Sequence, residues 1–329
     1  MGRNFVVFRL SPDDISAIRF GVSPGHELCH AVRALQRPAE HPLQWGWLRD
    51  VRDRVPHEAF ELFAALVRER GYFPDFLTAT PTWDLEPSDE AERLRDVPDD
   101  LMRVDLGKVA VRSEGARRRA VEAMLGDLPR ARAMIADAWL ELWNALVQPV
   151  WPQLERILRA DIAVRSRRIA TEGLASMVDG LHRTVDWSSD GLRVELGFHS
   201  EVLDCRGSGI VLVPSVFGQQ GCAVITEPPA QPTLFYPAQG VTERWAADAA
   251  ARVDALGSLL GPARAGILLS SHEWRTTSQV AVDAGLALST VSHHLTVLRD
   301  AGLIASHREG HRVLHLRTPL GEAMVGAGL

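Results

Sequence analysis

Cysteine and long apolar runs are both scarce in this sequence. Its three cysteines, Cys29, Cys205 and Cys222, are odd in number and far apart, which argues against a disulfide framework and favours a reducing compartment. No run of about eighteen apolar residues is present, so no membrane-spanning helix is expected. Residues 1–14 lack the apolar core of a signal peptide. We therefore expect a cytoplasmic protein that makes no membrane contact.

Local signatures of common enzyme classes are also missing. No glycine-rich loop has the spacing that binds phosphate, and no local signature marks a Ser-His-Asp triad. No internal repeat and no low-complexity tract is found. We therefore expect neither an enzymatic activity nor a cofactor.

The chain is acidic, with a net charge of −6, which argues against broad nucleic-acid binding. The charge is uneven, because from Leu256 onward six arginines oppose five acidic residues, a balance of +1 that leaves −7 for the rest. The same C-terminal part holds six of the twelve histidines. A weakly basic part on an acidic chain favours a small, confined contact surface for any nucleic-acid partner, and a single copy would then bind weakly, so that dimerisation would be needed.

The length of 329 residues allows two or three domains, and 46% apolar residues suffice for ordinary cores. Helical periodicity dominates the first half and includes a long helix over 151–181. Short apolar runs separated by glycine and proline clusters follow over 192–236 and predict antiparallel strands. The segment YPAQG (236–240) predicts a boundary between a domain 1–240 and a domain 241–329. The predicted fold is mostly α with a small antiparallel β-sheet, an α+β class.

The last quarter of the chain has the pattern of two helices joined by a tight turn. Thr276 and Gln279 fit a capping box that begins the first helix, and Gly285 ends it in a left-handed conformation. Ser289 is predicted as the N-cap of the second helix. The inward-facing residues of that helix recur at helical spacing: Val291, Leu295 and Leu298.

The outward side of the second helix carries hydroxyls, an imidazole and a guanidinium, and no acidic residue before Asp300, which suits the major groove of double-stranded DNA. Two short strands, 303–308 and 311–316, follow around the turn Glu309-Gly310 and form a wing whose tip would meet phosphates. The predicted DNA-binding residues are Thr277, Ser289, Thr290, Ser292, His293, Thr296, Arg299, Arg308, His311 and Arg312.

In these elements the last quarter of the chain resembles the winged helix-turn-helix of ArsR-family bacterial transcriptional regulators. The resemblance rests on GPARAGILL (261–269), on the stretch 278–304 that spans both helices, and on REGHRVLHL (308–316). It implies a sequence-specific regulator that acts as a homodimer on a palindromic operator, more often as a repressor than as an activator. In ArsR-like proteins the helix equivalent to the predicted helix over 242–260 packs in the dimer.

The domain 1–240 resembles a domain of unknown function that precedes this winged helix in many actinobacterial regulators. The similar segments are RFGVSPGHEL (19–28), YFPDFLTATP (72–81), LVPSVFG (212–218) and QPTLFYPAQG (231–240). We interpret the domain as supporting the dimer or sensing a small-molecule effector. The tryptophans that could line an effector pocket are Trp45, Trp47, Trp139, Trp143 and Trp151. Trp139 and Trp143, at helical spacing, are more typical of a core.

The main competing motif is His26-Glu27-Leu28-Cys29-His30, which satisfies the H-E-x-x-H pattern of zinc peptidases. It supports an alternative hypothesis, a zinc metallopeptidase fused to a DNA-binding head, but a required third ligand cannot be placed. In the other interpretation Glu27 stabilises a helix N-terminus and His26 is solvated. The usual ArsR metal sites are doubtful, because 272–281 contains no cysteine and the tail after the wing is too short for a convincing helix. No metal site is therefore assigned.

Overall fold

The computed structural model describes residues 4–78, 81–188, 191–197, 200–218, 221–241, 256–271, 274–310 and 312–327. The chain forms two compact units, the N-terminal unit Met1–Glu243 and the C-terminal unit Arg244–Leu329. Helices predominate and small mixed sheets accompany them, so the predicted α+β class is confirmed. No helix among the described residues is long and apolar enough to cross a membrane.

Helices make up most of the N-terminal unit. Its described α-helices are α1 (Pro12–Ser16), α2 (Pro24–Gln36), α3 (Trp45–Val51), α4 (His57–Leu66), α5 (Pro87–Arg95), α6 (Asp99–Val111), α7 (Gly115–Gly126), α8 (Leu128–Leu142), α9 (Trp151–Glu172) and α10 (Leu174–Asp179). The prediction of one unbroken helix over 151–181 is wrong, because Gly173 separates α9 from α10 with a φ of 88°. Glycine adopts this left-handed conformation without steric cost, so it is a natural helix end.

Eight strands form two four-stranded sheets in the described part of this unit. They are β1 (Asn4–Arg9), β2 (Arg19–Phe20), β3 (Val185–Ser188), β4 (Gly191–Leu196), β5 (Glu201–Asp204), β6 (Val211–Ser215), β7 (Ala223–Ile225) and β8 (Thr233–Pro237). The first sheet has the order β3-β4-β1-β5, with β1 antiparallel to β4 and parallel to β5. The second has the order β2-β6-β8-β7, with β6 parallel to both β2 and β8.

The prediction that the small sheet is antiparallel is therefore wrong in detail. All five residues of β6 are buried, without alternation between an inner and an outer face. Strands covered on both faces are typical of parallel pairing, whereas antiparallel strands with one wet face alternate. The unbroken apolar run Ile210–Val213 was the part of the sequence that could have indicated this.

Tryptophan side chains fill the core around α8 and the π-helical turn Trp143–Val147 that extends it. The rings of Trp139 and Trp143 stack with centroids 5.2 Å apart, and Trp151 meets Trp143 edge-on at 5.0 Å. The buried Trp47 donates its indole N–H to the carbonyl of Leu146 at 2.8 Å. The core role predicted for Trp139 and Trp143 is therefore confirmed.

The C-terminal unit combines helices with one three-stranded sheet. Its described elements are α11 (Pro262–Ser270), β9 (Arg275–Thr276), α12 (Thr277–Ala284), α13 (Leu288–Asp300), β10 (Ile304–Glu309), β11 (Arg312–Arg317) and α14 (Pro319–Ala327). The strand order is β10-β11-β9. Of the predicted helix over 242–260, residues 242–255 lie outside the described part and 256–260 are helical. The tail after the wing does form a helix, α14, contrary to the expectation.

Candidate nucleic-acid interface

The first helix of the predicted helix-turn-helix, α12, begins and ends as the sequence indicates. The hydroxyl of Thr276 accepts a hydrogen bond from the backbone N–H of Gln279, and the Gln279 side chain accepts one from the backbone N–H of Thr276. Gly285 ends the helix with a φ of 61°. The capping box and the left-handed end are therefore confirmed. The capping box fixes where α12 begins, and Gly285 fixes where it ends.

The second helix, α13, is called the recognition helix below. Its predicted N-cap is wrong, because the helix begins at Leu288 with Ala287 at the cap position and no side-chain cap bond. After Gly285, the N–H of Leu286 bonds back to the carbonyl of Ala281 at 3.1 Å. This bond completes a Schellman turn, which leaves only Ala287 between the turn and the helix. Ser289 therefore lies in the first turn, with its side chain exposed.

The recognition helix has one buried and one exposed side. The buried residues are Val291, Leu295 and Leu298, as predicted. Five of the predicted contact residues are exposed: Ser289, Thr290, Ser292, His293 and Arg299. Thr296 is half-buried and donates its hydroxyl to the Ser292 carbonyl at 3.0 Å, and the Arg299 guanidinium contacts Asp300 at 3.2 Å. The exposed side therefore offers hydroxyls and an imidazole that can reach base edges in a major groove.

One exposed apolar residue at the start of the recognition helix, Leu288, was not among the predicted contact residues. Leu288 is 54% exposed, although it is large and apolar. The first turn of a recognition helix is the part that approaches base edges, and an apolar side chain there can contact the methyl group of thymine. The sequence contained a partial signal, because Leu288 directly precedes Ser289 and Thr290, which were both among the predicted DNA-binding residues.

The wing consists of β10 and β11, the predicted strands displaced by one residue. Glu309 pairs with Arg312, so the connecting loop contains only Gly310 and residue 311. His311, a predicted contact residue, lies outside the described residues. Arg308 and Arg312 are both exposed. Because side chains alternate along a strand, and Arg308 pairs with Val313, the two arginines project from opposite faces of the hairpin.

The comparison with protein families agrees with this geometry. Residues 262–306 match the family model described as bacterial regulatory protein, arsR family. The C-terminal unit carries an ArsR-family helix-turn-helix. Residues 83–242 match a family of unknown function, DUF5937. No curated protein and no solved structure matches the chain. An ArsR-family domain indicates a DNA-binding regulator of transcription, and both predicted resemblances are confirmed.

A second predicted contact residue, besides Thr296, has its hydroxyl engaged within the protein. Thr277, the first residue of α12, is half-buried, and its Oγ1 lies 3.0 Å from Nε2 of the buried His315. Nδ1 of the same imidazole lies 2.9 Å from Oγ of Ser306 on β10. A DNA-contact role for Thr277 stays a prediction, but the structure gives its hydroxyl a partner that sequence reasoning did not consider.

The H-E-x-x-H motif lies on α2, outside both matched ranges, and its side chains are buried except that of His30, which is half-buried. His26 is 2% exposed and stacks on Phe235 with ring centroids 3.8 Å apart. The prediction that His26 is solvated is therefore wrong. Burial, aided by the charge of Arg33, lowers the pKa of His26 to about 3. The ring of His30 lies 4.5 Å from that of His26, and burial together with the charges of His26, Arg33 and His41 lowers its pKa as well.

Glu27, the general base of the zinc-peptidase hypothesis, is occupied by backbone groups. Its two carboxylate oxygens accept the N–H groups of Val216 and Phe217, each at 2.9 Å. Burial raises the pKa of Glu27 to about 7, although these bonds and one with Ser215 act to lower it. No group of three or more metal-ligating side chains is found in the described residues. The carboxylate therefore fastens α2 to the segment after β6 and is not placed to activate water.

Proposed function

We propose that this protein is a cytoplasmic, sequence-specific regulator of transcription that binds a palindromic operator as a homodimer and represses from it. The exposed side of the recognition helix carries the proposal. His293 and the hydroxyls of Ser289 and Ser292 face solvent there, opposite a fully buried apolar stripe. Repression is the mode that the ArsR resemblance implies.

The proposed homodimer is supported by charge. The chain from Leu256 onward has a balance of only +1, and Arg299 of the recognition helix contacts Asp300. The exposed arginines of the wing are then the main source of phosphate contacts on each copy, and non-specific affinity grows with the number of such contacts. Two copies on two half-sites double that number and also double the base-edge contacts.

A cavity in the N-terminal unit supports the proposed small-molecule effector. It lies among α4, α7 and α8 and has a volume of about 700 Å³, within the range of ligand sites. Its apolar lining residues are Leu62, Ala64, Ala65, Ala116, Ala120, Ala123, Met124, Ala131 and Met134. Its charged lining residues are Glu61, Arg117, Asp127 and Arg130. The cavity exists because the alanine side chains on the facing helices are too small to fill the space between those helices.

Footprinting on the protein's own upstream DNA, combined with sedimentation, tests the central proposal. A protected palindrome and a dimer in solution are expected. A stable monomer that protects the same palindrome contradicts the dimer, and no protection at any DNA from that region contradicts operator binding there. The matched control is Val291→Asn, which buries an amide in the core of the helix-turn-helix and should abolish protection.

Filling the cavity tests the effector site separately. Ala123→Trp places an indole among the lining residues, whereas Ala133→Trp adds the same ring to α8 at a position that does not line the cavity, and both alanines are exposed. Fluorescence of the apolar dye 1-anilinonaphthalene-8-sulfonate should rise with the wild type and Ala133→Trp, and fall with Ala123→Trp. Equal dye binding by all three contradicts the cavity as a ligand site.

A further inference from the structure

His315 lies where the wing meets the helix-turn-helix. It is on β11, the central strand of the three-stranded sheet, and pairs with Ser306 of β10 on one side and Arg275 of β9 on the other. It is 5% exposed, whereas Ser306 and the following residues of β10 are exposed. His315 is therefore buried although its strand leads to an exposed tip, and its side-chain contacts account for this burial.

Those contacts connect two different elements. Nε2 of His315 lies 3.0 Å from Oγ1 of Thr277, the first residue of α12, and Nδ1 lies 2.9 Å from Oγ of Ser306 on the wing. Both ring nitrogens therefore have hydroxyl partners. The imidazole forms a bridge of two hydrogen bonds from the first helix of the helix-turn-helix to the outer strand of the wing.

The bridge suits a neutral imidazole. Burial lowers the pKa of His315, and the charge of Arg299 lowers it further. A neutral ring donates from one nitrogen and accepts at the other, and a hydroxyl can take either role, so both bonds are satisfied with either tautomer. Removing one hydroxyl leaves a buried ring nitrogen without its partner, which is the costly case for a hydrogen bond.

The position of the bridge along the hairpin matters for the arginines. The third strand, β9, pairs only with Leu314 and His315. Among the described residues, no third strand pairs beside the last two pairs, Arg308 with Val313 and Glu309 with Arg312. A two-stranded ribbon is marginally stable by itself and twists readily. Leu314 and His315 are therefore the last residues of β11 that a third strand supports before the tip that carries both wing arginines.

We propose that His315 is a positioning residue for DNA binding, which fixes the wing tip relative to the recognition helix through Thr277 and Ser306. The inference rests on the proposed function and adds a residue that touches no DNA itself. Arg308 projects from the face of the hairpin that carries Ser306 and His315, so the bridge sets where its guanidinium lies. With the bridge intact, the wing and the recognition helix meet the duplex in one fixed arrangement.

Removing and restoring the wing-side hydroxyl is the first test. Ser306→Ala should weaken binding to operator and to scrambled DNA about threefold to tenfold, and should lower the salt dependence of both. Ser306→Thr keeps a hydroxyl and should restore binding. Ser270→Ala, which removes a hydroxyl that bonds only to the Ile267 carbonyl of its own helix, is the matched control and should change nothing. Equal binding by the alanine and threonine variants overturns the proposal.

A comparison in a background without the wing arginines separates positioning from a general loss of stability. In a protein that already carries Arg308→Ala and Arg312→Ala, Ser306→Ala should add no further loss, because the groups that it positions are gone. A further loss of the full size in that background overturns the proposal. It would show that the hydroxyl supports the fold and does not act through the wing.

Amide hydrogen exchange of the full chain provides a readout that needs no DNA. Ser306→Ala and Thr277→Val should each accelerate exchange in a peptide that covers the wing tip, and leave exchange in the recognition helix 288–300 unchanged. If the wild type binds no DNA, the proposed function fails while this measurement still tests the bridge. Unchanged exchange at the tip overturns the bridge even where DNA binding is confirmed.

Discussion

Two helices of this protein carry a pair of histidines, and the pairs have opposite surroundings. His26 and His30 lie one turn apart on α2, where ten of the thirteen residues are buried. His293 and His294 are adjacent on the recognition helix, where His293 is exposed and His294 is half-buried. Adjacent residues of a helix point about 100° apart, so the second pair divides between surface and interior, whereas residues one turn apart share one face.

The difference shows that burial, and not the spacing of the histidines, determines what each pair can do chemically. On α2 both imidazoles are held neutral by the interior, and Nδ1 of His26 and Nε2 of His30 have no hydrogen-bond partner among the described residues. On the recognition helix an exposed imidazole can exchange water for a base edge at small cost. The same residue type thus lies in the interior of one unit and on the exposed surface of the other.

The largest effect should come from replacing Glu27, whose carboxylate holds α2, the helix of His26 and His30, against the segment after β6. Glu27→Ala leaves the buried N–H groups of Val216 and Phe217 without acceptors, so we expect a loss of about 3–5 kcal/mol in the free energy of unfolding. Urea unfolding followed by tryptophan emission measures it. Glu58→Ala, at an exposed site in the first turn of α4, should cost less than about 1 kcal/mol. Similar losses in the two variants would place Glu27 in solvent.

The next effect concerns pH and His26. Its pKa is about 3 in the folded protein against 6.5 for the free side chain, so below pH 6.5 the unfolded chain binds the proton that the folded chain refuses. Stability from this group is therefore lost as pH falls, by about 2 kcal/mol at pH 5. The excess stability of the wild type over His26→Gln should shrink by that amount between pH 7 and pH 5. A constant difference in stability between the wild type and His26→Gln from pH 7 to pH 5 refutes the assignment.

The exposed pair should respond in binding and not in stability. His293→Ala should cost about 1–3 kcal/mol on the operator and little on scrambled DNA, because its imidazole is placed to read a base edge. His294→Ala serves as its partner variant and should lower the unfolding free energy before it alters specificity. Titrations of both DNAs, with a thermal melt of each variant, make the comparison. Equal losses on operator and scrambled DNA for His293→Ala would assign that side chain to phosphate.

The smallest effect should come from the wing. Arg312→Ala should weaken binding to all sequences alike and reduce the slope of log affinity against log salt by about one. Arg118→Ala, an exposed arginine of α7 in the other unit, should leave the slope unchanged. If Arg312→Ala loses only the operator while His293→Ala weakens both DNAs, the groove and the phosphate roles are reversed.

Local chemistry explains what could be predicted from the sequence. The capping box of Thr276 with Gln279 and the end at Gly285 depend on residues four or fewer positions apart, and the structure confirms both. The N-cap at Ser289 was wrong because the backbone turn at Leu286, not a side chain, set the start of the next helix. A return bond across the turn competes with side-chain preference and cannot be read from the preference alone.

Interactions between distant residues explain what could not be predicted. The parallel pairing of β6 with β8 and the burial of His26 against Phe235 both join segments that no local pattern relates. The Thr277–His315 contact spans 38 positions in the sequence. Alternation within the strand gave no signal for it, because the neighbouring Leu314 and Leu316 are apolar and would have placed His315 on the outer face.

The pairing of β1 has a consequence for synthesis on the ribosome. Residues 4–9 form the interior of a sheet whose other strands, 185–188, 191–196 and 201–204, are translated far later. During synthesis the apolar side chains of Val6 and Phe8 therefore stay unburied until the neighbouring strands β4 and β5 have been translated. The winged helix is translated after these strands and within a short stretch, so it needs no such delay. Chaperone demand during translation should accordingly concentrate on the N-terminal unit.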